Sequence, residues 1–200
     1  MKHFAVLLVV INLFIQANAQ NKNDKYLSVA AFNIQNAGPF GKLAGLFTDQ
    51  FHPGIEAGYG KNFSSKEHHE WFVQLKVAYF YHRFVQHGVP LYLNVGYRYK
   101  ISDHFSAETS VGAGYMHSIP ATSQLKLNSN GDYVKHKGVG RMQAMAAYSL
   151  GLGYIPNPSA PKPVRIFTAY RQQIQMPFVN SYVPFLPYNS FILGIDARIK

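Results

Sequence analysis

The chain has 200 residues, room for a single domain. Nineteen Lys and Arg against nine Asp and Glu give a formal charge of +10, yet only 14% of residues are charged, against about 25% in an ordinary soluble domain. The absence of Cys excludes a disulfide-stapled fold, a Cys-ligated metal site, thiol catalysis and a lipid-anchored cysteine.

The first element is an address rather than a structure. Met1-Lys2-His3 is a basic start, residues 5–15 (AVLLVVINLFI) are apolar, and Ala17-Asn18-Ala19 supplies the small residues of a cleavage site. These are the parts of a secretory signal peptide, and the apolar run is too short for a spanning helix, which needs about 20 residues. Cleavage after Ala19 removes Lys2 and no acid, leaving residues 20–200 as one domain with a formal charge of +9.

Beyond Ala19 the chain alternates apolar and polar residues, the signature of half-buried strands. Residues 26–35 read as a first strand of unassigned facing. Residues 54–62 set Ile55, Ala57 and Tyr59 against Glu56, Gly58 and Gly60. Residues 71–85 set Trp71, Val73, Leu75, Val77, Tyr79 and Tyr81 against Gln74, Lys76 and His82, with Phe72, Phe80 and Phe84 as apolar exceptions. The pattern repeats over 91–101, 105–119, 139–155, 164–178 and 191–200. Links of 36–50, 120–138 and 180–187 are long, and those of 63–68, 102–104 and 156–163 are short or turn-like. Only 86–89 is a short link on the long-link side.

Eight strands with long links on one side and short ones on the other fit an all-β, eight-stranded, antiparallel up-and-down barrel that crosses a membrane. The alternation by itself leaves the facing open. Three features turn the apolar rows outward. Trp71, Tyr79, Tyr81, Tyr97, Tyr99, Tyr115 and Tyr154 fall near row ends, as in two interfacial aromatic girdles. The opposite faces mix charge with many Gly, as a narrow lumen requires. Charges are nearly missing from the apolar rows.

With phrases such as GYRY (96–99), VGAGY (111–115) and LGLGY (150–154), the chain resembles the small outer-membrane barrel families typified by the OmpA barrel, OmpX and OmpW. The resemblance covers residues 20–200 as a pattern, without a diagnostic motif. It implies a bacterial outer-membrane location, a lipid bilayer around the wall and insertion by the outer-membrane assembly machinery. Those barrels commonly finish on an aromatic residue, whereas this sequence finishes on Ile199-Lys200.

Inside such a barrel Glu56, Glu108 and Asp196 would meet Lys76, Arg98, Arg141, Arg171 and Arg198. With eight strands the bore is just filled by side chains, so a salt-bridged plug is expected over an anion path. No metal, cofactor or catalytic residue is expected. His68-His69 reads as a solvated turn, and His136 lies in a basic loop. An outer-membrane enzyme acting on lipid A, as in PagL-type deacylases, would carry His-x-Ser-Asn, but His117 is followed directly by Ser118. A soluble periplasmic barrel with an apolar ligand would need the apolar rows turned inward. Lys42, Lys126, Lys135 and Lys137 fall in outer links, where they could meet the phosphates of lipopolysaccharide. Nucleic acid is no expected partner of an exported chain whose basic residues are dispersed. The reading is a monomer with a structural, adhesive or interaction role, the 120–138 link its contact surface.

Overall fold

The computed structural model describes residues 24–37, 45–83, 85–122, 124–136, 138–178 and 184–199, with side chains for all but 124–127 and 136. Residues 1–19, Lys42, Phe84 and Lys137 lie outside that set.

Ten strands are described: β1 (Lys25–Asn36), β2 (Pro53–Ser65), β3 (His69–His82), β4 (Gln86–Lys100), β5 (Phe105–Pro120), β6 (Gln124–Leu127), β7 (Tyr133–His136), β8 (Arg141–Tyr154), β9 (Val164–Met176) and β10 (Leu186–Arg198). Eight close a barrel in the order β1-β10-β9-β8-β5-β4-β3-β2, every neighbour antiparallel. The expected eight-stranded barrel is therefore what the chain forms. Both ends of the described chain lie at the rim that carries the β2–β3, β4–β5 and β8–β9 links, and the long links lie at the other.

The period of two decides the facing. Val29, Leu75, Leu93, Val111, Leu150, Ile166 and Leu193 point outward and are exposed, while Gln74, Asn94, Ser110, Arg165 and Asp196 point inward and are buried. The wall is apolar and the lumen polar, the reverse of what a soluble ligand-binding barrel needs. On β1, whose facing the sequence left open, Leu27 and Val29 face out and Tyr26, Ser28 and Ala30 face in.

Several boundaries differ from the sequence reading. The 120–138 link holds a hairpin, β6–β7, in a sheet of its own. Its turn is built by Asn128, whose side-chain oxygen accepts from the backbone N–H groups of Asn130 and Asp132 (both 2.9 Å), and by Gly131 at φ 84°. β4 begins at Gln86, so residues 86–89 are strand rather than link. His69 opens β3 and is not a turn residue, and β10 begins at Leu186, inside the expected 180–187 link. A single helical turn, α1 (Gly45–Thr48), interrupts the first long link.

The lumen is narrow because aromatic rings lie on glycines. Phe72 faces Gly96 across β3–β4, Phe80 faces Gly88, Tyr26 faces Gly60 and Phe32 faces Gly54. A Cβ at position 96 would sit 2.2 Å from Phe72 Cζ, and the Phe72 ring is buried. Gly96→Ala is expected to lower stability by roughly 1–3 kcal/mol. Gly138→Ala, whose Cβ would meet nothing nearer than 3.9 Å, should leave the urea midpoint unchanged. Equal midpoints for the two variants would refute this packing account.

Candidate functional site

The barrel's chemistry is concentrated in its lumen, in two charged layers. In the first, Glu56 from β2 takes Lys76 Nζ from β3 at 2.8 Å, the Tyr92 hydroxyl from β4 at 2.6 Å and the Arg171 guanidinium from β9. Arg171 also donates to Tyr92, and its guanidinium lies 5.0 Å from the centroid of the Phe32 ring. All four polar members are buried.

The second layer lies toward the chain-end rim. Arg98 on β4 bonds Glu70 at 2.7 Å and Glu108 at 3.1 Å, and comes within 3.8 Å of Asp196. Arg165 on β9 bonds Glu108 and Asp196, both at 2.6 Å. Asn62 donates to Glu70 at 2.8 Å, and Lys100 approaches the same carboxylate at 3.8 Å. Among the described residues these two layers hold four acids, Glu56, Glu70, Glu108 and Asp196, and four deeply placed bases, Lys76, Arg98, Arg165 and Arg171. Their balance matters, because an uncompensated charge in a low-dielectric interior costs several kcal/mol, roughly.

The cavity between the layers is about 20 Å³, room for one water molecule. Toward the outer rim the lumen continues as a neutral plug. Gln86 donates to Gln175 and to Tyr188 (2.9 Å), and Ser118 donates to Gln86. Ile34, Phe80 and Met116 are fully buried around this plug. At the chain-end rim a wider recess of about 200 Å³ opens among Tyr26, Lys100, His104, Pro163 and Arg198.

Not every residue expected in the lumen lies in these layers. Glu56, Lys76, Arg98, Glu108, Arg171 and Asp196 do. Arg141 does not: it has lumenal parity on β8 but is the strand's outermost residue, exposed, with its guanidinium 5.5 Å from the centroid of the Phe178 ring. Arg198 sits at the opposite rim, half-exposed, and pairs with Asp24 at 3.3 Å. Glu70 and Arg165 complete the second layer and were missing from the expected set. Their parity was already readable, since Glu70 alternates with Trp71 and Arg165 with Ile166.

The aromatic residues form two belts. Trp71, Tyr97, Tyr99, Phe105 and Tyr154 lie toward the chain-end rim, and Tyr79, Tyr81 and Tyr115 toward the other. Tyr97 and Tyr115 are half-buried because histidines pack on them. His69 bonds the Tyr97 hydroxyl at 2.5 Å, His87 bonds Tyr79 at 2.8 Å and His117 bonds Tyr115 at 2.7 Å. His104 stacks on Tyr154. The His69, His87 and His104 pairs form across neighbouring strands or turns, whereas Tyr115 and His117 are two residues apart on one face of β5. His117 also faces the Val139 carbonyl at 3.0 Å, while the neighbouring Ser118 turns into the lumen. Of the loop lysines, Lys135 is exposed on β7 and Lys126 lies on β6.

Among solved structures, the neisserial surface protein NspA superposes with a TM-score of 0.57 at 8% identity, over 88% of this chain and 97% of that one. The fold is that of a small outer-membrane β-barrel. Ail, the attachment invasion locus protein of Yersinia pestis, solved with the heparin analogue sucrose octasulfate, gives 0.48 at 18% identity over 90% and 100%. The outer-membrane enzyme PagL gives 0.42 at 10% over 86% and 97%. No protein-family model and no curated protein matches the chain. At such identities the likeness fixes the architecture and nothing finer.

Proposed function

We propose that the chain is a monomeric outer-membrane protein of a Gram-negative bacterium, exported by a signal peptide cleaved after Ala19, with a structural or adhesive role. One observation carries this reading: four acids matched to four bases leave a lumen with room for a single water between the charged layers. Such a barrel is a rigid, sealed post, so contact with partners falls to its outer links. The β6–β7 hairpin is one of these, with Tyr133 72% exposed, and Val139 just beyond it is 88% exposed.

The apolar wall between two aromatic belts supports a lipid bilayer as its surroundings. Lys126 and Lys135 on the hairpin, together with Lys42 and Lys137, would meet the phosphates of lipopolysaccharide. The assembly machinery would handle the β1–β10 seam, where Tyr26 through Asn36 pair with Arg198 through Tyr188.

The purified chain inserted in a planar bilayer is expected to show no steady conductance steps. A persistently open channel would overturn the sealed-post reading and revive an anion path through the lumen.

A further inference from the structure

The outer end of the lumen holds a feature that the sealed post does not require. His52, just before β2, and His82, the last residue of β3, stack face to face. Their ring centroids are 3.8 Å apart, the rings are 9° from parallel, and both side chains are buried. The hydrogen-bond network assigns their tautomers. Gln35 donates through Nε2 to the Gln50 carbonyl, so its Oε1 accepts from His52 Nδ1–H at 3.1 Å. His82 Nδ1 faces the Arg83 carbonyl at 3.2 Å and therefore carries the proton. Each Nε2 is then a bare lone pair, and that of His82 is buried without a partner.

His52 also ends a strap. Residues 45–52 run along the outer end of β1 and β10, held by specific bonds. Asn33 donates to the Leu46 carbonyl at 2.7 Å, the His52 N–H donates to Asn33 Oδ1 at 2.8 Å, and the Ile34 N–H donates to the His52 carbonyl at 3.0 Å. Leu46 is buried, and Phe47, 70% exposed, meets Phe191 edge-on at 5.3 Å. The histidine stack ties the strap to β3.

We propose that His52 and His82 form a proton-sensitive latch, which holds residues 45–52 on the barrel at neutral pH and releases them in acid. Protonating His82 Nε2 creates a buried N–H without an acceptor, and protonating both rings places two cations within one ring-stacking distance. A metal is a poorer occupant. The rings are parallel and stacked, so their in-plane lone pairs lie in separate planes and do not converge on one point, and among the described residues no third His, Cys, Asp or Glu joins them.

The titratable and charged groups on the surrounding elements do not offset that charge from within the stack. Arg83 follows His82 and is a cation, so it supplies no negative charge to the stack. Asp49 lies on the strap, exposed. Glu56 is one layer deeper on β2, bound to Lys76 and Arg171. β10 offers Tyr188, its ring centroid 5.9 Å from that of His82. β4 offers the neutral Gln86, opposite His82 in register, and β1 the neutral Asn33 and Gln35. The direction of the pH effect follows. Burial holds His52 below its ordinary value while the strap is closed, and opening restores that value. The open state therefore takes up the proton first, so closure weakens as pH falls from about 6.5 downward.

The test is amide exchange, corrected for intrinsic rates, on the full folded chain in lipid nanodiscs. Protection at the His52 and Ile34 amides should fall at least about tenfold between about pH 7.5 and about pH 4.5, while Leu93 in the wall is unchanged. His82→Gln should reduce the pH dependence to what the burial of His52 alone supplies, and His82→Phe serves the same purpose should the Gln variant not fold. His82→Lys should leave the strap open at neutral pH. Protection independent of pH in the native chain, or an equal pH dependence in His82→Gln or His82→Phe, would overturn the latch.

Discussion

Glu56→Leu is expected to cost about 3–5 kcal/mol, the range for removing one partner from a buried ion pair. The reason is stoichiometric. Glu56 is the carboxylate that both Lys76 and Arg171 contact directly, and it also accepts from Tyr92. Its removal leaves two buried cations facing each other with a phenol between them. The apolar replacement cannot solvate them, and the cavity nearby holds at most one water. The triple change Glu56→Leu, Lys76→Leu and Arg171→Leu should be milder than the single one, because it removes the charges together with their compensation. Urea titration of the chain folded in lipid vesicles, read by migration of unheated samples on a gel, measures both. A single variant as stable as the parent would mean that water enters the lumen freely and that the plug is not sealed.

The sequence exposed some of this and hid the rest for physical reasons. Alternation fixes the face of a residue but not its depth. Glu56 and Arg171 were therefore readable as lumenal, and so was Arg141, although Arg141 stands at the end of β8 where solvent reaches it. Glu70 was hidden by context, since a pair of histidines beside Glu67 looks like a solvated turn until Tyr97 and Tyr99 on the next strand are seen to hold them. β6 and β7 are four residues each, too short for a period of two to register. The histidine stack joins positions 52 and 82, and only barrel closure tells that they share a level. Long-range pairing is the part that local pattern cannot carry, and the latch belongs wholly to it.

A charge on the outer wall separates a membrane barrel from any soluble alternative. Leu93 lies at mid-height on β4, 50% exposed, flanked by Leu75 on β3 and Ala113 on β5. In hydrocarbon its replacement by Arg exposes a guanidinium to a medium without hydrogen-bond partners, at an expected cost of about 2–4 kcal/mol near the midplane. Tyr99→Arg, on the same strand face but within the aromatic belt, puts the same group where water and headgroups reach it. It should cost about 0–1 kcal/mol. The contrast between the two positions is the informative quantity, because propensity and side-chain entropy nearly cancel within one strand. Folding equilibria in phosphatidylcholine vesicles of matched thickness measure it. In a water-soluble barrel Leu93→Arg would replace an exposed apolar side chain with a soluble one and cost nothing. Equal effects at positions 93 and 99 would therefore remove the bilayer from the account of this wall, and the aromatic belts would need another explanation.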